Sequence, residues 1–346
     1  MRQRMNISIT HLPRHANKLA GCFIALVMAV ASPQVRAADR VTVATDWSPH
    51  GMISGLLLAK QNGSFAGAGL DVDVVDGKGS TTTVQQVAAG QIDVGFGQLS
   101  SMAAAVANAI PVTSIMGLVQ AGDNGLMVPA DSGWTTLNDL KGKRIAVAAG
   151  AASTTFFDAF LKAGGASRGD FNIINVDTTA LTSIYVSGAA DAALTTVAWQ
   201  KPQVDSSRPS HPIFYSDVGL LIPGYGLIVR RESLDAKSDI LKRFVEVQQK
   251  TWVHIFAGHE QEAIDAILAQ RPGMRLDGAI MLAQLKGFMP LFDTPATKGK
   301  PMGWQAETDW QNTLRIMREV GMAKETMKPS DMYTNKFISD HIGRAK

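Results

Sequence analysis

Residues 77–103, GKGSTTTVQQVAAGQIDVGFGQLSSMA, contain one local pattern twice. An apolar alternating run, LDVDVV at 70–75, leads into Gly77 and Gly79 on either side of Lys78. Ser80, Thr81, Thr82 and Thr83 follow, and a helical pattern begins at Val84. Strand, glycine turn, hydroxyl-rich N-cap and helix is the order that sets a helix N-terminus at the carboxyl end of a strand. The helix stops at Gly90, a short apolar strand IDVGFG (92–97) follows, and Gln98, Leu99, Ser100 and Ser101 open an alanine-rich helix. Two such helix starts at one sheet edge form a wall where open α/β sheets bind small ligands and unpaired N–H groups favour oxygen atoms.

Working outward, RVTVATDW (40–47) reads as the first strand, 46–51 as a turn and 52–61 as a helix stopped by Asn62 and Gly63. With the strand at 70–75 this makes a β-α-β unit and predicts a parallel sheet. Downstream come a helix over 101–109 and a strand over 111–118; from about Gly125 the character changes, with a strand, Pro129, polar turn residues and a short helix at 137–140, and after Lys143 the β-α-β pattern starts afresh. Strands are expected at 144–149, 171–176 and 191–196, and helices at 156–163, 181–187 and 197–204. The turn at 150–155 carries Ser153, Thr154 and Thr155, a second hydroxyl cluster placed like the first. A glycine-rich bend, IPGYGLIV at 222–229, includes Tyr225 and returns the chain to helices over 240–258, 260–270, 279–288 and 305–320. The division expected is 38–128 and 224–346 for lobe one and 129–223 for lobe two, with two crossings able to act as a hinge around a cleft.

The 346 residues are 46% apolar and 18% charged, a globular composition long enough for two lobes. Arg2, Arg4, Arg14 and Lys18 precede an apolar run at 19–31 and then Val35-Arg36-Ala37, the pattern of a secretory signal cleaved after Ala37. The run is too short to span a bilayer, so the expected product is a soluble secreted protein. LAGC at 19–22 matches a lipoprotein box, but the apolar run follows it instead of preceding it, so Cys22 is not read as an anchor. Cys22 is the single cysteine, and its removal excludes disulfides, thiol catalysis and cysteine-held metals. The overall charge of +3 falls to about −2 once 1–37 are removed, leaving 28 basic against 30 acidic residues. A nucleic-acid partner loses its electrostatic support.

Catalytic patterns are weak. GASRG at 165–169 fits a nucleophile-elbow string but follows a helix where a strand is required. Gly77 and Gly79 lack both the third glycine of a dinucleotide fingerprint and the Gly-Lys-Ser/Thr of a phosphate loop. His254 and His259 are five apart on a helical stretch, where metal pairs prefer four, and no third ligand is evident nearby. No cofactor and no metal are expected.

DWSP, AKQNGSFAGAGLDVDVV, GKGSTTTVQQVAAGQIDVGFG, LNDLKGKRIAVAAG and SDMYTNKFI, in this order, resemble the periplasmic substrate-binding proteins of ABC importers. The similarity is greatest to the NMT1/THI5-like branch with thiamine-pyrimidine, riboflavin, taurine, alkanesulfonate and nitrate binders. It implies a type II periplasmic binding protein fold: two α/β lobes, each a mainly parallel sheet flanked by helices, closing on one small ligand. It also implies a monomer that delivers the ligand to an inner-membrane permease and its ATPase. Residue by residue, Trp47 matches a ring-stacking aromatic; Ser80 and Thr81 match a polar helix start; Gln98 and Ser100 match contacts after the IDVGFG strand. Ser153, Thr154 and Thr155 match a sulfonate-holding cluster, and Trp199 an aromatic lid often followed by an acidic residue, here Gln200. Tyr225, at the crossing, completes the candidate set, while Asp46 reads as a turn cap. A planar aromatic or heterocyclic ligand ranks first, an organosulfonate or nitrate second. A pyrimidine synthase of the same fold carries a lysine and a histidine after that strand, where this chain has Gly97 and Ser101, and a cysteine run that is absent here. A ligand sensor for a membrane kinase is a third use of the same fold.

Overall fold

Alternation in DRVTVA and LDVDVV buries Val41, Val43, Val72 and Val74. Strands β1 (Asp39–Ala44) and β2 (Leu70–Val75) accordingly pair in parallel, with Val41 opposite Val72. In this computed structural model, which describes residues 37–343, the first sheet is completed by β3 (Val94–Gln98), β4 (Val112–Gly117) and a late strand, β10 (Tyr225–Arg230). The secretory-signal and Cys22 readings fall on residues outside the described ones. The second sheet holds β5 (Asn124–Pro129), β6 (Arg144–Ala148), β7 (Asn172–Val176), β8 (Ala192–Thr196) and β9 (Ser210–Phe214).

The strand orders, β2-β1-β3-β10-β4 and β7-β6-β8-β5-β9, share one plan. Three parallel strands are followed by one antiparallel to both its neighbours. That antiparallel strand is in each case the one that has just crossed between sheets. The crossings run side by side: Leu118 and Val119 donate their N–H groups to the Tyr225 carbonyl (2.8 and 3.1 Å), and Gly224 donates to Val119 (2.7 Å). β5 corrects the expected lobe boundary, because residues 124–128 hydrogen-bond within the second sheet. The polar turn after Pro129 looks like a linker, whereas the true crossing is the mostly buried segment 118–123, LVQAGD, that precedes Asn124.

The late helices cover the first sheet. Ser238–Phe256 buries Leu241, Phe244, Val245, Trp252 and Ile255, and Glu260–Gln270 buries Ala263, Ile264 and Ile267. Helical periodicity alone sets which face turns inward. β1 ends at Ala44, three residues earlier than the alternation predicts, because the Thr45 hydroxyl donates to the Trp47 carbonyl (2.8 Å) and bends the chain away.

The Gly77–Gly79 turn packs directly on that bend. Gly77 donates to Thr45 Oγ1 (3.1 Å), Gly79 donates to the Asp46 carbonyl (2.6 Å), and Gly79 sits at φ 122°, a region essentially restricted to glycine. A Cβ on Gly77 would lie 1.9 Å from the Thr45 carbonyl oxygen. Gly77→Ala is therefore expected to destabilise the fold by about 1–3 kcal/mol, read as a lower urea midpoint. An unchanged midpoint would mean that the two turns are not locked together.

Candidate ligand-binding site

The carboxyl ends of β1, β3, β6 and β8 converge on a cavity of about 290 Å³, at the small end of small-molecule pockets. Lobe one contributes Asp46, Trp47, His50, Lys78, Gly79, Ser80, Gln98 and Tyr225; lobe two contributes residues 148–153 with Thr178, Leu181, Thr195, Thr196 and Trp199. Short side chains at 148–153 leave space, while the two tryptophans are half-buried and supply flat apolar area.

The floor on the lobe-one side is a polar chain. His50 caps the short helical turn Gly51–Ile53 by accepting the Met52 N–H at Nδ1 (3.4 Å), which leaves Nε2 to donate to Asp46 Oδ1 (2.9 Å). The Tyr225 hydroxyl donates to Asp46 Oδ2 (3.1 Å). Burial, with Asp46 and Asp123 nearby, pushes the Tyr225 phenol well above its usual range, so it remains a donor. Its ring is fixed by stacking on Phe96 (5.2 Å) and an edge contact with Phe288 (5.5 Å). Each Asp46 oxygen has one donor, and a carboxylate oxygen can accept a second.

Behind this floor, fully buried Asp123 lies at the end of the first crossing and takes Gln98 Nε2 at Oδ1 (3.4 Å). Its Oδ2 and Gln98 Oε1 have no hydrogen-bond partner among the described residues. Burial raises its carboxyl to about 7, against a weaker lowering by Gln98, and Asp46 adds to the rise. Among the lining residues the lysine is Lys78, exposed at the mouth. The inner surface of the cleft is thus rich in acceptors.

Several sequence-derived candidates meet here. Trp47, Ser80, Gln98, Ser153, Trp199 and Tyr225 all line the cavity. Ser80 is the first helical residue and not a cap: its Oγ accepts the Gln98 N–H (3.1 Å), leaving its own O–H to point elsewhere. Ser153 is buried, and its turn is held by the Tyr215 hydroxyl donating to the Ser153 carbonyl (2.5 Å).

Four candidates do not line the cavity. Thr81 is one step further round the helix Ser80–Ala88 and faces solvent. Ser100 is buried inside the helix Leu99–Ala107, whose first N–H donates to the Gly224 carbonyl (2.5 Å), and it is not among the residues that line the cavity. Thr154 donates its hydroxyl to Ala151 (2.7 Å), and Thr155 lies beyond the turn that bears Ser153. Gln200 is buried and donates to Thr182 (2.7 Å); the acid in the cleft comes from Asp46 in the opposite lobe. Ser167, in the elbow-like string, is engaged by its own capping box with Asp170.

The Asp46–His50 pairing depends on the bend over 46–49, which local composition does not reveal, and Asp123 carries no local signal at all. Trp199 is held in place from lobe one: Gln284 Nε2 donates to its carbonyl (2.9 Å), while Gln284 Oε1 accepts the Gly51 N–H (3.1 Å).

Two facing lobes around a cleft, with this strand order, define a periplasmic-binding-protein fold. The alkanesulfonate-binding protein SsuA of Xanthomonas axonopodis pv. citri, solved bound to MOPS, superimposes with a TM-score of 0.64 at 16% identity, covering 86% of this chain and 99% of that one. A profile of the NMT1/THI5-like family matches residues 51–263, and the chain belongs to that family. The formylaminopyrimidine-binding protein of Halalkalibacterium halodurans is 23% identical over 302 residues, 86% of this chain and 90% of that protein. The 4-amino-5-hydroxymethyl-2-methylpyrimidine phosphate synthase of Legionella pneumophila is 21% identical over 314 residues, 87% of this chain and 93% of that protein. The relatives thus include both a named binder and a named synthase. Among the described residues no helix is long and apolar enough to cross a membrane.

Proposed function

We propose that this chain is the periplasmic solute-binding component of an ABC importer and that its ligand is a small planar nitrogen heterocycle of the aminopyrimidine kind. The observation that carries this is the Asp46 carboxylate, held by His50 and Tyr225 in the floor of a cleft that also presents Trp47 and Trp199. A ring laid against the tryptophans would direct its N–H groups at Asp46, and Ser80 and Ser153 would complete its polar edge. The formylaminopyrimidine-binding relative supports this class of ligand, and the small cavity suits one substituted ring better than a three-ring flavin.

An organosulfonate is the competing reading, favoured by the small-residue turn at 148–153, by Lys78 at the mouth and by the SsuA fold. Charge decides against it. An anion about 5 Å from Asp46 would be repelled by roughly 3 kcal/mol at an effective dielectric of 20, over a hundredfold in affinity.

Binding without chemistry is the role proposed. At the positions where the synthase-type resemblance calls for lysine and histidine stand Gly97, in a buried strand, and Ser101, buried in a helix, neither of which lines the cavity. Closure over the ligand would alter the lobe surfaces that a permease reads. Mass spectrometry of small molecules released from the purified protein tests the proposal. A co-purifying aminopyrimidine is the expected result, with Trp47→Ala retaining less of it; a sulfonate or nitrate in its place would overturn the assignment.

A further inference from the structure

On one continuous helix, His254 and His259 would point about 140° apart. The chain does something else. The helix Ser238–Phe256 ends, Ala257 and Gly258 turn, and His259 precedes the next helix, Glu260–Gln270. The two imidazoles are thereby stacked with centroids 3.7 Å apart and planes 15° from parallel. Glu262, in the first turn of the second helix, supplies the third ligand that sequence spacing does not reveal. His254 Nε2 lies 2.8 Å and His259 Nδ1 3.3 Å from the same oxygen, Glu262 Oε2. All three potential ligand atoms fall within 4.8 Å of one another.

We propose that His254, His259 and Glu262 form a site for a borderline divalent cation, Zn²⁺ above all, at the junction of these two helices. None of the three residues lines the ligand cleft, so the site is separate from it. Two imidazole nitrogens and one carboxylate oxygen match the ligand preferences of Zn²⁺, Ni²⁺ and Cu²⁺; Ca²⁺ and Mg²⁺ require oxygen-rich sets. Each side chain is close to half exposed, at 41–47%, which lets a hydrated ion reach the site and keep water in its remaining positions. The backbone beneath is fixed, since Ile255, Ala263 and Ile264 are fully buried in the lobe-one core. A bound cation would replace the two contacts converging on one oxygen and staple the turn between the helices, raising stability by mass action.

The test uses tag-free protein stripped with chelator and titrated with Zn²⁺ by calorimetry, and with Co²⁺ by its visible absorption. Expected are one ion per chain, a rise in Tm with Zn²⁺ that Mg²⁺ does not reproduce, and at least about tenfold weaker binding in His259→Ala and Glu262→Gln. Both substitutions are at the surface, so metal-free Tm should match the parent and show that the variants fold. Zn²⁺ binding that is unchanged in both variants, or no tighter than about millimolar in the parent, would overturn the proposal. Aminopyrimidine binding should be indifferent to both substitutions, which keeps this test independent of the cleft assignment.

Discussion

Asp123→Asn is expected to be more stable than the parent protein at pH 8 and equal to it near pH 4. The Asp123 carboxyl has an ordinary value of 3.8 and is raised to about 7 by complete burial. Below about pH 4 it is protonated in both folded and unfolded chains and contributes no pH dependence. Between 4 and 7 the unfolded chain releases the proton while the folded chain retains it, so the unfolded state gains and stability falls as pH rises. Above 7 the loss is complete, and it amounts to roughly 4 kcal/mol. Asparagine keeps the shape, preserves an acceptor for Gln98 and has no proton to lose. Urea unfolding of parent and variant across pH 4–8 measures the difference directly: the curves should separate as pH rises, and parallel curves would contradict the burial argument. The unpartnered Asp123 oxygen sits behind Gln98 at the end of the first crossing.

Asp46→Asn should cost the ligand and spare the fold. Asparagine can still meet both His50 and Tyr225, through its oxygen and its amide, but the charge at the cleft floor is gone. A hydrogen bond from a ligand N–H to a charged acceptor is worth about 1.5–3 kcal/mol, so aminopyrimidine affinity should fall between tenfold and a little over a hundredfold. Any weak affinity for an anion should rise in the same variant. Calorimetric titration of both ligand classes against parent and variant reads both changes. Equal losses for the two classes would point to a general disturbance of the cleft instead of a lost acceptor.

The contrast between Ser80 and Ser100 shows how far the sequence could be read. The strand-turn-helix pattern at 77–103 placed both serines at helix starts after strands, and the structure has helices at both places. What the pattern could not carry was which of the two serines lines the cavity. Beside Ser100 the returning strand β10 brings the Gly224 carbonyl onto the Leu99 N–H, a contact between residues more than a hundred positions apart. Thr154 and Thr155 stay outside the cavity lining for a different reason: of the three hydroxyl residues only Ser153 lines it, and the Thr154 hydroxyl is satisfied by its own turn. Asp46 was legible as a residue but not as a partner of His50 and Tyr225, since the tyrosine arrives from the second crossing. The lobe boundary slipped for the same kind of reason, because strand pairing across sheets is invisible to local composition.

The most direct test of the whole reading is a side-by-side calorimetric titration of the ligand-stripped protein with 4-amino-5-hydroxymethyl-2-methylpyrimidine and with an alkanesulfonate. An acidic floor between aromatic faces predicts saturable binding of the pyrimidine, at least about a hundredfold tighter than the sulfonate. Tight sulfonate binding with no pyrimidine heat would contradict it.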